Sequence, residues 1–244
     1  MVTPNKEPIL VLANSIFYHR ANRPPANRYF HYPSYLPTSS LATESEAELT
    51  TTLQDSDVGA VLLSTVHRTQ RLPQSIVYIL FEEMVPVTSF TYPYQNDLLL
   101  FLPKQKTTAT VISEPIEFES DILLNTFAVK VLAPTTLLVQ LDWSTMSPLV
   151  KDYTVFTHLI GADGERVSQH DGWSVMNFRE TTKWLPGESV MDWHWLELPS
   201  NAPAGTYDLQ VGLYEAQTGE RLRLQRAAQP DTTFVRTQIQ IQGQ

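Results

Sequence analysis

The side chains of this chain that could do chemistry are dispersed, and their spacing limits what they can form. The six histidines, His19, His31, His67, His158, His170 and His194, include no H-x-H or H-E-x-x-H pair, so no metal site is expected. His170-Asp171 and Asp192-x-His194 set a carboxylate near an imidazole in sequence, the pairing that acid–base work requires, although adjacency does not decide tertiary pairing. The acid pairs Glu117/Glu119 and Asp163/Glu165 fall at expected strand ends and turns, where carboxylates are usually solvated. No G-x-S-x-G run offers a nucleophile elbow. The chain has no cysteine, which removes thiolate catalysis, disulfides and cysteine-zinc sites.

Two groups remain as candidate binding residues. Arg20, Arg23 and Arg28 share a Pro- and Asn-rich stretch with Tyr18, Tyr29, His31 and Tyr32, directly after the first expected strand. Guanidinium forks grip phosphate bidentately, and loops after strands of open α/β sheets commonly hold ligands, so a sugar-phosphate contact is one reading. The preferred reading is structural: a loop held over the sheet edge by arginine–carbonyl and arginine–aromatic contacts. All five tryptophans, Trp143, Trp173, Trp184, Trp193 and Trp195, lie in the second half. Exposed indoles stack on the apolar face of a pyranose, which makes Trp173 and Trp193 the candidate sugar contacts. Core packing is again preferred, with Trp184 plugging one end of a sandwich. Gly59 is the only glycine before Gly161, so neither a dinucleotide fingerprint nor a phosphate loop can form in the first half, and no cofactor is expected.

Composition narrows the class further. At 244 residues, with 42% hydrophobic and 18% charged side chains, the chain can bury real cores and is not a disordered one. Its net charge of −9 is uneven. Residues 1–106 carry 8 basic and 9 acidic side chains (−1), and residues 107–244 carry 9 and 17 (−8). An acidic second half argues against nucleic-acid partners and against electrostatic docking to anionic lipid. No apolar run approaches the roughly 20 residues that span a bilayer. Polar Thr3 to Glu7 behind Met1 does not read as a signal peptide, so the chain is expected to be soluble.

The elements that must position these residues follow two grammars. Strands are expected at 9–13, 58–64, 85–91 and 98–102. Helices are expected at 44–54, capped by Thr43 with Glu46 completing a capping box, and at 73–84, with Ile76, Ile79, Leu80 and Glu83 at helical spacing. This is a small α/β unit, Rossmann-like but without a nucleotide loop, over residues 1–104. Beyond polar Lys104 to Thr108 the pattern is all β. Strands are expected at 116–119, 123–132, 136–143, 153–160 and 233–241, with two more on either side of Pro203-Ala204-Gly205. In the first of those two, Val190, Asp192, His194, Leu196 and Leu198 share a face; in the second, Tyr207, Leu209, Val211 and Leu213 do. Residues 107–244 are therefore expected to form an antiparallel β-sandwich, immunoglobulin-like or jelly-roll-like, which makes the chain an α+β multidomain protein.

The string Trp184-Leu185-Pro186-Gly187-Glu188, then Asp192, Leu198-Pro199, Pro203-Ala204-Gly205-Thr206-Tyr207 and Val211-Gly212-Leu213-Tyr214 has a further significance. Together with Asp152-Tyr153-Thr154-Val155-Phe156-Thr157-His158-Leu159, Asp163-Gly164 and Gln169-His170-Asp171, it resembles the C-terminal β-sandwich of some bacterial protein O-mannosyltransferase-like enzymes. These are multi-spanning glycosyltransferases that use a lipid-phosphate sugar donor. The stretch from Tyr18 through Arg23, Pro25-Ala26 and Arg28 to Phe30 resembles the segment after the first strand of the soluble extracytoplasmic region of the same enzymes. The two resemblances occur in family order.

The resemblance implies a non-catalytic accessory region of a membrane glycosyltransferase. Such a region would cover the extracytoplasmic face and help recognise a glycan or protein acceptor, with the membrane-spanning part of the same parent protein as its partner. The family's catalytic acid lies in a segment that nothing here matches, so no catalytic residue is carried over. Two rivals stand beside this reading: a stand-alone carbohydrate-binding sandwich, and a sugar-phosphate-handling enzyme built on the α/β half.

Overall fold

The computed structural model describes residues 7–13, 16–28, 40–54, 58–65, 72–91, 97–103, 114–133, 135–225 and 232–241. Tyr29, His31, Tyr32, His67 and the polar stretch Lys104 to Thr108 lie outside these residues. The chain divides into two compact units, Met1–Lys106 and Thr107–Gln244.

The first unit runs β1 (Ile9–Leu12), α1 (Ile16–Ala21), α2 (Ala42–Gln54), β2 (Ala60–Ser64), α3 (Gln74–Glu83), β3 (Met84–Phe90) and β4 (Leu98–Pro103). The continuous apolar run of β1 is buried at every position, as expected of a strand covered on both faces. The sheet order is β1-β2-β4-β3. Its one parallel pair sets Ile9 to Leu12 against Ala60 to Leu63; β4 then runs antiparallel to both β2 and β3.

Both main helices differ in detail from the sequence expectation. Helix α3 buries Ile76, Val77, Leu80 and Phe81, with Phe81 edge-on to Phe101 at 5.0 Å, while Glu83 stays exposed. Turning the buried stripe toward Val77 and Phe81 removes a large aromatic from water and leaves a carboxylate in it. Helix α2 starts at Ala42, so Thr43 sits inside its first turn and the expected capping box does not form. Ser45 N–H donates to the Leu41 carbonyl (2.8 Å), and Glu46 instead accepts from the Ser75 hydroxyl of α3.

The second unit comprises β5 (Ile116–Phe118), β6 (Ile122–Ala133), β7 (Thr136–Thr145), β8 (Tyr153–Ile160), β9 (Arg166–Gly172), the short turn α4 (Ser174–Asn177), β10 (Val190–Glu197), β11 (Gly205–Glu215) and β12 (Val235–Ile241). These strands form two four-stranded antiparallel sheets, β10-β7-β6-β5 and β12-β11-β8-β9. The molecule is thus a β-rich α+β protein whose second unit is built like a sandwich. Phe118, Leu124, Leu141 and Trp143 from one sheet, and Val155, Leu159, Leu209 and Leu213 from the other, are fully buried. Among the described residues no helix is long and apolar enough to cross a membrane.

The motif residues prove to be fastenings. Gly187 takes φ 79° where Glu188 N–H closes a turn on the Leu185 carbonyl at 3.0 Å, the backbone state that a Cβ disfavours. Tyr207 donates its hydroxyl to the Pro203 carbonyl (2.7 Å), in the manner of a tyrosine corner. Residues 221–225 run between the two sheets. Leu222 N–H bonds the Leu213 carbonyl at the end of β11, while Glu119 N–H and Gln225 N–H pair with the Arg223 and Glu117 carbonyls at β5.

Candidate functional site

Edge strand β9 organises the titratable groups, because alternate side chains of a strand leave opposite faces. His170 and Asp171 are neighbours in sequence but belong to different networks. His170 lies opposite Thr157 on the inward face; Asp171 lies opposite Phe156 on the outward one.

The inward network joins the two sheets at their shared edge. His170 Nδ1 lies 2.7 Å from His194 Nδ1, and His194 Nε2 lies 2.8 Å from Asp192 Oδ2. Asp192 and His194, both on β10, have no exposed surface. A carboxylate only accepts, so His194 Nε2 carries a proton. With the ring neutral, His194 Nδ1 is an acceptor and His170 Nδ1–H donates to it. Of the two carboxylate–imidazole sets adjacent in sequence, Asp192 does meet His194, whereas His170 meets His194 and Asp171 meets His158.

The same carboxylate holds an unusual turn. Val175, Met176 and Asn177 have φ of 56°, 52° and 67°, a left-handed turn of three residues without a glycine. Each such residue costs about 1–2 kcal/mol, most for a β-branched one such as Val175. Asp192 Oδ1 accepts from Val175 N–H at 2.7 Å and Trp193 N–H at 2.9 Å, and Asn177 Oδ1 accepts from Trp173 N–H at 2.8 Å. A Cβ on Gly172 would meet the Asn177 side chain at 2.8 Å, so the glycine makes room for this fastening.

On the outward face His158 Nε2 meets Asp171 Oδ1 at 3.2 Å, and the Tyr214 hydroxyl donates to Asp171 Oδ2 at 3.3 Å. Burial pushes the His158 imidazole below the ordinary histidine range, with the Asp171 charge opposing the shift. Burial, then the Asp171 charge, pushes the Tyr214 phenol up. His158 packs on Phe156 with centroids 4.8 Å apart, and the Arg221 guanidinium sits 4.4 Å from the Phe156 ring centre.

Chemically these networks hold protons and close an edge; they do not aim a nucleophile. The nearby Ser174 hydroxyl donates to the Arg179 carbonyl (2.9 Å) and accepts from Trp184 Nε1 (3.0 Å), both inside the core. Among the described residues no group of three His, Asp or Glu side chains is arranged to bind a metal ion. Beside Trp184, buried Arg179 grips Glu188 through both guanidinium ends (2.8 and 2.6 Å), and this guanidinium holds the Glu188 carboxyl below its usual range.

The candidate binding residues are placed as follows. Arg28 pairs with Glu44 and Glu48 of α2. Arg23 reaches the Glu7 carbonyl at 3.5 Å, and the chain around it lies along β1, with Ile9 N–H on the Pro24 carbonyl and Ala26 N–H on the Ile9 carbonyl. Arg20 is exposed on α1. Tyr18 is buried and accepts from Val11 N–H at 2.9 Å, so it belongs to the core and not to a ligand loop. The stretch differs from the expected loop: it opens as helix α1, and Arg28 is held by carboxylates where carbonyl and aromatic contacts were expected. Trp193 requires a correction: it is 3% exposed and cannot present an indole face to a sugar. Trp173 is 40% exposed. Trp184 is 2% exposed and stacks on Trp143 with centroids 6.4 Å apart, the plug its place beside the turn suggested.

The sequence reading missed strand β9, Arg179 and the left-handed turn. The first had a weak signal in the alternation Val167, Gln169, Asp171 against Ser168, His170, Gly172. The last had none, since Val and Met favour neither turns nor left-handed backbone.

No family model and no curated protein matches this chain. Among solved structures it is similar to β-glucosidase 3B from Thermotoga neapolitana in complex with glucose, at 14% identity and a TM-score of 0.28, over 54% of this chain and 16% of that one. It is similar to a β-glucuronidase from glycoside hydrolase family 2 at 11% identity and a TM-score of 0.28, over 53% of this chain and 13% of that one. It is also similar to an endonuclease/exonuclease/phosphatase from Beutenbergia cavernae at 10% identity and a TM-score of 0.28, over 84% of this chain and 61% of that one. The chain spans less than two thirds of each of these proteins, and likeness at this level carries no functional weight.

Proposed function

We propose that this chain is a non-catalytic accessory region of a membrane-anchored, extracytoplasmic glycosyltransferase, in which a small Rossmann-like unit and an immunoglobulin-like or jelly-roll-like sandwich cover the outer face and help recognise a glycan or protein acceptor. The observation that supports this reading is where the motif residues go. Trp184, Gly187, Glu188, Asp192 and Tyr207, which carry the resemblance to the O-mannosyltransferase-like enzymes, are spent on a core plug, a turn, an ion pair, a buried carboxylate and a corner. A motif whose members all hold the fold marks a kind of domain rather than a reaction centre. The catalytic work then falls to the parent's membrane-embedded segment, the partner of this region.

The test is the complete reading frame together with a deletion. A multi-spanning segment in the same frame, and loss of transfer to acceptor on removing residues 107–244 while the membrane part still inserts and binds donor, is the expected result. A frame without membrane-spanning segments, or a deletion that leaves transfer unchanged, overturns the reading.

A further inference from the structure

A polar cavity of about 300 Å³ opens in the sandwich unit beside the strip 221–225, with Ser120, Lys151, Tyr153, Glu220, Arg221 and Gln225 among its lining residues. Of these residues only Arg221 touches the networks on β9, through its contact with Phe156. We propose that this cavity is a binding site for a neutral saccharide. The proposal deepens the accessory role above by naming a ligand class and a place for it, yet it stands on the cavity alone.

Three features carry it. First, part of the lining already has partners: Lys151 Nζ forms an ion pair with Glu215 at 2.9 Å, and the Glu119 carboxylate accepts from Arg223 N–H at 3.0 Å. Second, among the described residues the Glu220 carboxylate and the Arg221 guanidinium, adjacent on the chain, have no hydrogen-bonding side-chain partner, and they are not paired with each other. Arg221 spends only its face, on Phe156. A free acceptor and a free fork of donors suit vicinal hydroxyls, which give a hydrogen bond to one and take one from the other. With Glu119, Glu215 and Glu220 against Lys151 and Arg221 the lining is one charge negative, which disfavours an anionic ligand.

Third, one wall is strained. Ser120 and Asp121 both have positive φ (63° and 58°), and the Ser120 hydroxyl meets the buried Tyr153 hydroxyl at 3.0 Å. Backbone strain persists only where its surroundings enforce it, and it concentrates at ligand sites. On the other side Gly219, at φ 74°, tightens the turn that presents Glu220, and Arg221 bridges back to Tyr214.

The full 244-residue chain, labelled for amide NMR, is titrated with methyl glucoside, methyl galactoside and N-acetylglucosamine, with glycine as the zwitterion and inorganic phosphate as the anion. The expected result is shifts at Ser120, Lys151, Glu220, Arg221 and Gln225 with at least one saccharide at millimolar concentration. Affinity for that saccharide should weaken about tenfold in Glu220→Gln, an exposed position where the thermal midpoint stays put, and in Gln225→Ala. Three results overturn the site: no saccharide moves these amides; glycine or phosphate moves them and the sugars do not; or both variants bind as the parent does. None of these touches the reading-frame test.

Discussion

Replacing Asp192 asks how much of the sandwich edge depends on one buried carboxylate. Asp192→Ala leaves three buried donors without their acceptor: Val175 N–H, Trp193 N–H and His194 Nε2–H. Each orphaned donor costs about 1–3 kcal/mol, so the loss alone reaches ~3–9 kcal/mol. Against it stands the relief of no longer holding a desolvated carboxylate, worth several kcal/mol. The left-handed turn can also relax, which recovers part of its ~1–2 kcal/mol per residue. Removing one partner of a buried ionic pair typically costs about 3–5 kcal/mol once such relief is included, and that is the net expectation at neutral pH. Asp192→Asn behaves differently, because both backbone donors use Oδ1, which an amide oxygen can supply. The amide nitrogen then donates to His194 Nε2, the ring moves its proton to Nδ1, and His194 becomes the donor to His170. That exchange of donor and acceptor roles should cost no more than about 1.5 kcal/mol. Urea midpoints of both variants give the energies, and imidazole nitrogen chemical shifts report the tautomer. An Asp192→Ala protein within about 1 kcal/mol of the parent, or an Asn variant as damaged as the Ala one, would refute the assignment of Asp192 as the anchor of the turn.

Other perturbations address separate links in the chain from sequence to stability. Trp184→Ala should destabilise by about 3–5 kcal/mol, since the indole fills the core against Trp143, whereas Trp173→Ala at the surface should change the urea midpoint little. Gly187→Val has space for its side chain but needs positive φ, so its cost of about 1–3 kcal/mol should come from backbone strain alone. The Glu188 carboxyl titrates lower in the folded protein than in the unfolded chain. Its contribution is therefore present above the ordinary Glu range near 4.5 and is lost as pH falls through the folded value. Glu188→Gln should flatten the acid limb of stability measured between pH 6 and 3, the tested range being about that wide. His158 is also lowered, but as a base: the unfolded chain takes up its proton first, so stability should decline as pH drops below the ordinary value of 6.5. His158→Gln should remove that slope from urea midpoints taken between about pH 7.5 and 5.

Much of the second unit was legible because its physics is local. The strand expected at 153–160 is the strand observed, and the shared face of Tyr207, Leu209, Val211 and Leu213 is buried throughout. Alternation and turn residues carry that information directly. The neighbouring face of Val190, Asp192, His194 and Leu196 is buried too, but nothing in the sequence says that an ionisable pair will be sealed inside it. That depends on β9 arriving opposite β10 with His170 inward. A polar edge strand such as Arg166–Gly172 has little apolar contrast by which to be found. The helix phase in α3 was missed for a related reason, since Ile79 and Phe81 compete for one core and only the tertiary contact with Phe101 decides. The cavity beside Arg221 was beyond reach, because its walls meet only when residues about a hundred apart pair.

That last pairing has a consequence for how the molecule forms. Sheets of a sandwich usually touch through side chains only, so they can be assembled separately and then docked. Here the main chain at Arg223 is hydrogen-bonded to Glu119, 104 residues away, at the same time as Leu222 is bonded to the end of β11. Closure of so long a loop must precede the bonds that reward it, which places this crossing late in folding and slows the unit as a whole. Once made, it resists sliding of one sheet over the other, because any shear must break backbone bonds in a register that side chains alone would let slip. The amides of Glu119 and Gln225 are then among those whose hydrogen exchange waits for unfolding of the entire unit.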